Sequence, residues 1–217
     1  MIENDLWFHI ATVIAIIATL YGLYRLDIFI NDLKRRKAGK DGESNLRLLL
    51  ALTLPPWKFK KLRNVFISNK KDEAEIDMIL FSPYGIFIVE VKNFSGSVEG
   101  NATDKKWVQY KKHDGREMYF HNPTKQADFH ARVIKRLTGC KKVYSYVVFV
   151  GSADIDTDAT NVFSSKWGII WQLWKIARGE EVLPDHDKYF EVVKNNNIKS
   201  RKARKEYFKR ISEKYNK

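Results

Sequence analysis

Apolar and polar positions change period several times along the chain, and each period predicts a different element. Leu6 to Tyr24, LWFHIATVIAIIATLYGLY, is almost continuously apolar, with His9 its main ionisable side chain. About 20 such residues span a bilayer as a helix. Trp7, Tyr21 and Tyr24 stand near its ends, where interfacial aromatics belong. From Gly42, Leu46, Leu49, Leu50 and Thr53 recur at i, i+3, i+4 and i+7, which predicts a helix with one apolar face, ended by Pro55-Pro56. Val65-Phe66-Ile67 forms the centre of a predicted strand. Ile76–Phe81 and Ile86–Val91 are short runs rich in β-branched residues, the pattern of strands buried on both faces. Ser82-Pro83-Tyr84-Gly85 joins them as a turn, with Pro83 presetting one φ angle and Gly85 free to take φ > 0.

Downstream, Ser97–Gly100 reads as a short strand and turn. Trp107–Tyr110 and Met118–Phe120 read as a second hairpin around His113-Asp114-Gly115. Asn122 is placed to cap the next helix, with Pro123 at its first position. Val133, Ile134 and Leu137 give that helix its core face. Val143–Val150, VYSYVVFV, predicts an inner strand, parallel to a neighbour through the crossover helix. Asp154, Asp156 and Asp158 alternate in what reads as an exposed loop. They lack the glycine and closing glutamate of a calcium-binding EF-hand loop, which is excluded. Trp167–Ala177 and Tyr189–Val193 read as short packing elements. Lys199–Lys217 is basic and amphipathic, with Tyr207, Phe208, Ile211 and Tyr215 as its apolar stripe. It could contact DNA, lie on a membrane or dock on the domain.

Charge narrows the choice of partners. A formal net charge of +13 points to a polyanion, either nucleic acid or an anionic membrane surface. Cys140 is the single cysteine, so neither a disulfide framework nor a cysteine zinc site is available, as in a reducing compartment. Arg25, Lys34, Arg35, Arg36, Lys37 and Lys40 follow the first apolar stretch and no Lys or Arg precedes it. The positive-inside rule then puts the N-terminus outside and the remainder in the cytoplasm, as a single-pass protein of the cell membrane. The basic run can also rest on anionic lipid headgroups or serve as a solvated linker. In the second hairpin, Trp107, Tyr110, Tyr119 and Phe120 interleave with Lys105, Lys106, Lys111, Lys112 and Arg116. Such interleaving suits stacked bases and phosphates, and equally an ordinary half-buried hairpin.

Charge also intrudes on the central hairpin. Asp77 lies inside its first apolar run, and Glu90 and Lys92 lie at the end of the second. Alternation along a strand points Glu90 and Lys92 to one side, about 7 Å apart along the chain. Pairing of the two strands brings Asp77 beside Glu90. Burying these charges is costly without compensation. A structural ion pair of Lys92 with Glu90 or Asp77 is one solution. A Mg²⁺ or Mn²⁺ ion is the other, because hard cations prefer carboxylate oxygens. Spacing alone leaves the two evenly balanced.

Asp77 … Glu90-Val91-Lys92 resembles the PD-(D/E)xK nuclease signature. Glu75-Ile76-Asp77, Ser82-Pro83-Tyr84-Gly85-Ile86-Phe87, Glu90-Val91-Lys92-Asn93 and Gly96 resemble one branch of it, the nuclease-related domain or NERD. Gly42-Glu43, Asn122-Pro123 and Gln126 extend the likeness, which covers roughly Lys40 to Gly151. The resemblance implies a restriction-endonuclease-like α/β fold and metal-dependent hydrolysis of nucleic acid, with DNA the first candidate. It implies Mg²⁺ or Mn²⁺ held by Asp77, Glu90 and the Val91 carbonyl, with Glu43 as a further ligand candidate. By dipole alone Glu43 is a surface residue of the helix's first turn. Lys92 is implied to act on the attacking water, and Gln126 to hold nucleic acid or metal-bound water. Related RecB-type domains carry Gln-x-x-x-Tyr here. This chain has His130 in place of the tyrosine, and by itself His130 reads as a partly buried helix histidine.

The expected organisation is a short tail at 1–5, a membrane helix at 6–24 and a basic linker at 25–40. A nuclease-like core at 41–151, packing elements at 152–198 and a basic tail at 199–217 follow, the core built around a mixed sheet flanked by helices. The first rival is a binding or regulatory module that keeps the fold without turnover. A purely lipid-binding protein is the second, and it leaves the buried charges unexplained.

Overall fold

The computed structural model describes residues 41–68, 72–111, 115–179, 183–200 and 202–207, together with residues 12, 19–22, 25 and 209. The chain forms two compact units, Met1–Leu52 and Thr53–Lys217. The expected membrane stretch Leu6–Tyr24 lies mostly outside the described residues. Among the described residues, no helix is long and apolar enough to cross a membrane. Helix α1 (Asp41–Thr53) carries the predicted apolar face, with Leu46 and Leu50 fully buried, and it stops before Pro55-Pro56.

The second unit is a mixed α/β structure with two mixed sheets, where one mixed sheet was expected. The first sheet has five strands in the order β1-β2-β3-β7-β9. They are β1 (Lys60–Ser68), β2 (Glu73–Ser82), β3 (Gly85–Lys92), β7 (Val143–Phe149) and β9 (Val162–Phe163). β1, β2 and β3 are antiparallel, and β3, β7 and β9 are parallel. The second sheet has the order β6-β5-β4-β8. It comprises β4 (Ser95–Glu99), β5 (Lys106–Tyr110), β6 (Glu117–His121) and β8 (Ser152–Asp156). Helices α2 (Pro123–Thr138), α3 (Lys166–Ile176) and α4 (His186–Asn196) belong to the same unit.

The β2–β3 hairpin closes with Ser82 opposite Gly85. Gly85 takes φ 148°, and a Cβ there would stand 2.7 Å from the Tyr144 ring, so both backbone and space require glycine. Both strands are buried, as their continuous apolar runs predict. Alternation sends the two sheet faces to different helices. Ile86 and Ile88 share a core with Ala131, Val133 and Ile134 of α2. On the other face Phe87 stacks on Tyr144 and Tyr146, and Tyr146 meets Gln172 of α3.

The three residues read as an exposed aspartate loop are all exposed, but Asp154 and Asp156 belong to β8 while Asp158 follows it. Ser152–Asp156 pairs in parallel with β4, with Ile155 opposite Val98. Its two apolar residues, Ala153 and Ile155, are only partly buried and the other three are polar and exposed, so polar composition hid it. The parallel pair β4–β8 continues the parallel pair β3–β7 after a shared break at Asn93-Phe94 and Val150-Gly151. A Cβ on Gly151 would lie 1.9 Å from the Phe94 carbonyl oxygen, so the break closes only around glycine. It follows Lys92 directly and ends the first sheet at the charged residues. The opposite edge, β1, is covered. Phe66 exchanges hydrogen bonds with Asn197 and Ile198, and Arg204 and Tyr207 pack on Phe66. The described part of the basic tail therefore docks on the domain.

Candidate functional site

Three elements converge at the carboxyl end of β3. Glu90 and Lys92 lie on the strand face that carries Ile86 and Ile88, and α2 crosses that face. Along the crossing, Ala131 and Ile134 meet hydrocarbon, whereas Gln126 and His130 meet charge. Asn122 anchors the helix at this end. Its Oδ1 accepts from Thr124 N at 2.9 Å, while its Nδ2 donates to the carbonyls of Asn101, Ala102 and Asp104. That fixes where Gln126, one turn later, points.

Lys92 Nζ donates to Glu90 Oε1 at 2.7 Å and to Gln126 Oε1 at 3.0 Å. An ammonium has three donors, so one remains for a further oxygen. Glu90 is 3% exposed. Its Oε2 and His130 Nδ1 face each other at 3.4 Å. That contact falls outside good hydrogen-bond geometry, and among the described residues neither atom has another partner. Burial pushes the Glu90 carboxyl up, but contact with His130 and the Lys92 ammonium outweigh it and hold it below the usual glutamate range.

Asp77 sits in a gap in the ladder. The β1–β2 register skips the pair Asn64 with Asp77, where Asn64 adopts φ 47°. The β2–β3 register ends one residue later, at Met78 opposite Val89. The Asp77 carboxylate fills the gap by accepting the Val91 N–H at Oδ2, 2.9 Å away. Burial, and next the charge of Glu90, push the Asp77 carboxyl up to about 6, against the lowering effects of the Val91 N–H, Lys92 and His130. Two carboxylates with opposite shifts, one ammonium and one imidazole therefore share a largely buried corner.

Asp77, Glu90, Lys92 and Gln126 thus come together. The side chain of Glu43 lies outside the described residues; its backbone is in the first turn of α1. His130 is the residue that sequence reading undervalued. Its spacing of four from Gln126 was the available signal, since both occupy one helical face. Among the described residues no three His, Cys, Asp or Glu side chains form a metal cage. The pair of carboxylates still fits a hard cation that keeps most of its waters. Glu90 Oε2 is a buried oxygen without a hydrogen bond, and both it and the crowded Asp77 would be relieved by positive charge.

The aromatic hairpin divides. Trp107 is buried, stacked on Phe149, and unavailable to a base. Tyr119 is exposed, with its hydroxyl donating to Glu117. Lys112, His113 and Asp114 lie outside the described residues.

A family model described as nuclease-related domain, NERD, matches residues 38–150, just over half of the chain. An uncharacterized protein of Bacillus anthracis is 31% identical over 102 residues, which cover 46% of this chain and 46% of that protein. The chain thus matches just under half the length of that relative. No solved structure matches the chain.

Proposed function

Because the chain belongs to the nuclease-related domain family, we propose that its second unit is a metal-dependent phosphodiesterase acting on nucleic acid, DNA before RNA, on a restriction-endonuclease-like fold. The convergence of Asp77, Glu90, Lys92 and Gln126 at the end of β3 carries this reading. Asp77, Glu90 and the Val91 carbonyl would hold Mg²⁺ or Mn²⁺. The ion would polarise a phosphoryl oxygen and supply a nucleophile near neutral pH. Lys92 orients the attacking water with its remaining donor and stabilises negative charge on the phosphoryl oxygens as the leaving oxygen departs. Gln126 holds that ammonium in place. Basic surface supplies affinity that does not depend on sequence. Leu6–Tyr24 supports a single membrane-spanning helix, and the basic residues after it support a cytoplasmic domain.

Incubation with single- and double-stranded DNA and RNA, with Mg²⁺, Mn²⁺ or a chelator, tests the reading. Metal-dependent cleavage that Asp77→Ala abolishes supports it. Retention of nucleic acid without cleavage in any metal favours the second reading, a silent binding module. That reading draws on Glu90, whose carboxylate already has Lys92 and His130 as neighbours.

A further inference from the structure

Helix α3, KWGIIWQLWKI, is apolar on two faces. Ile169, Ile170 and Leu173 are buried, and the helix packs on β7 and β9. Trp167, Trp171 and Trp174, spaced four and three apart, share the outer face and are 65%, 67% and 42% exposed. With Ile170 and Arg178 they line an apolar depression of about 370 Å³. The Arg178 guanidinium lies 5.9 Å from the Trp171 ring centroid. The chain has six tryptophans, and half of them stand on this one helix face. Such a patch on a soluble surface marks an interaction site.

We propose that this face of α3 lies in the headgroup layer of an anionic bilayer. Trp is the side chain suited to that layer, because its ring is apolar and its N–H finds water or headgroup oxygens. Protein interfaces also use Trp, so the charge around the patch decides between lipid and a protein partner. Lys166, Lys175 and Arg178 flank the tryptophans, and no Asp or Glu occurs from Lys166 to Gly179. Glu180 and Glu181 follow, outside the described residues. The patch is therefore complementary to anionic lipid. The sequence supplies a second membrane signal in Leu6–Tyr24 and the basic run after it. A tether confines the rest of the chain near the bilayer, so a weak interfacial contact suffices to hold it. The contact would set the orientation of the domain on the membrane, whether or not the domain cleaves nucleic acid.

The test uses the full chain with Trp7→Phe, to silence the tryptophan of the apolar stretch, in vesicles of equal parts phosphatidylglycerol and phosphatidylcholine. Phosphatidylcholine brominated near the headgroup quenches tryptophans at that depth. Strong quenching is expected, and it should disappear when Trp167, Trp171 and Trp174 are also changed to Phe. Lys166→Glu with Lys175→Glu should weaken quenching in anionic vesicles and leave the little seen in pure phosphatidylcholine unchanged. Equal quenching with and without the three tryptophans overturns the proposal. So does quenching by single-stranded DNA in place of lipid, or a concentration-dependent dimer that the triple change abolishes. Vesicle flotation of the triple variant reports the tether by itself. No metal or cleavage enters the measurement, so its failure is separate from failure of the nuclease reading.

Discussion

His130 Nδ1 faces Glu90 Oε2 at 3.4 Å in a corner where neither atom has another hydrogen-bonding partner among the described residues. The imidazole is thus the polar neighbour of a buried carboxylate oxygen across the β3–α2 interface. His130→Phe keeps the bulk and removes that neighbour. Surrounding an already unbonded buried carboxylate oxygen with hydrocarbon in place of a polar ring costs on the order of 1–3 kcal/mol. The variant should unfold at lower urea, and added Mg²⁺ should recover part of the loss. Unchanged urea midpoints would show that His130 merely fills space.

Asp77 predicts an unusual pH slope. Its carboxyl is raised from 3.8 to about 6 in the folded protein, so the folded state binds the proton more tightly than the unfolded state. Stability from this group is therefore greatest at low pH and falls as pH rises from about 4 to 6, by on the order of 2–3 kcal/mol. Glu90, held below its ordinary value, acts oppositely: its contribution is present above the unfolded value and fades as pH drops through the folded one. Melting temperatures of wild type and Asp77→Asn between pH 4 and 7 separate the two. The variant should gain on wild type as pH rises, most clearly without divalent metal. Parallel curves would contradict the raised carboxyl.

Lys92→Met distinguishes chemistry from scaffolding. The substitution removes the donor shared by Glu90 and Gln126. If Lys92 acts on water and phosphate, cleavage should fall ~10²–10⁴-fold while nucleic-acid affinity changes little. A buried structural pair predicts a loss of ~3–5 kcal/mol in stability. Cleavage and melting measured on one preparation decide the matter, and a collapse in melting temperature with unimpaired cleavage would reject the catalytic role.

Gly151→Ala tests the break between the two sheets. The new Cβ would meet the Phe94 carbonyl oxygen at 1.9 Å, so the backbone must shift. Overpacking of this kind costs ~1–3 kcal/mol. Because the break follows Lys92, the variant should lose cleavage beyond what its lowered melting temperature explains. Full activity at a temperature well below melting would show that the break does not position the site.

If the domain binds nucleic acid, its affinity should fall steeply with salt and vary little with base sequence, because the +13 charge is spread over many Lys and Arg side chains. Binding measured across a salt series checks this, and a flat response would argue against phosphate contacts.

The hairpin, its turn at Gly85, the Asn122-Pro123 helix start and the shared side of Glu90 and Lys92 were legible in the sequence. All follow from local periodicity or local backbone chemistry, which a few adjacent residues determine. The resemblance gave the set Asp77, Glu90, Lys92 and Gln126, but not the distances between them. Only the tertiary structure decided that β8 pairs with β4, that Trp107 is buried while Trp167, Trp171 and Trp174 are exposed, and that His130 looks at Glu90. Each depends on which distant segment packs against which face. A polar strand such as Ser152–Asp156 alternates over too few positions to be told from a loop and becomes a strand because β4 offers it a hydrogen-bonding edge. The raised carboxyl of Asp77 has the same origin, since burial and the charge of Glu90 act on it only once β2 and β3 have paired.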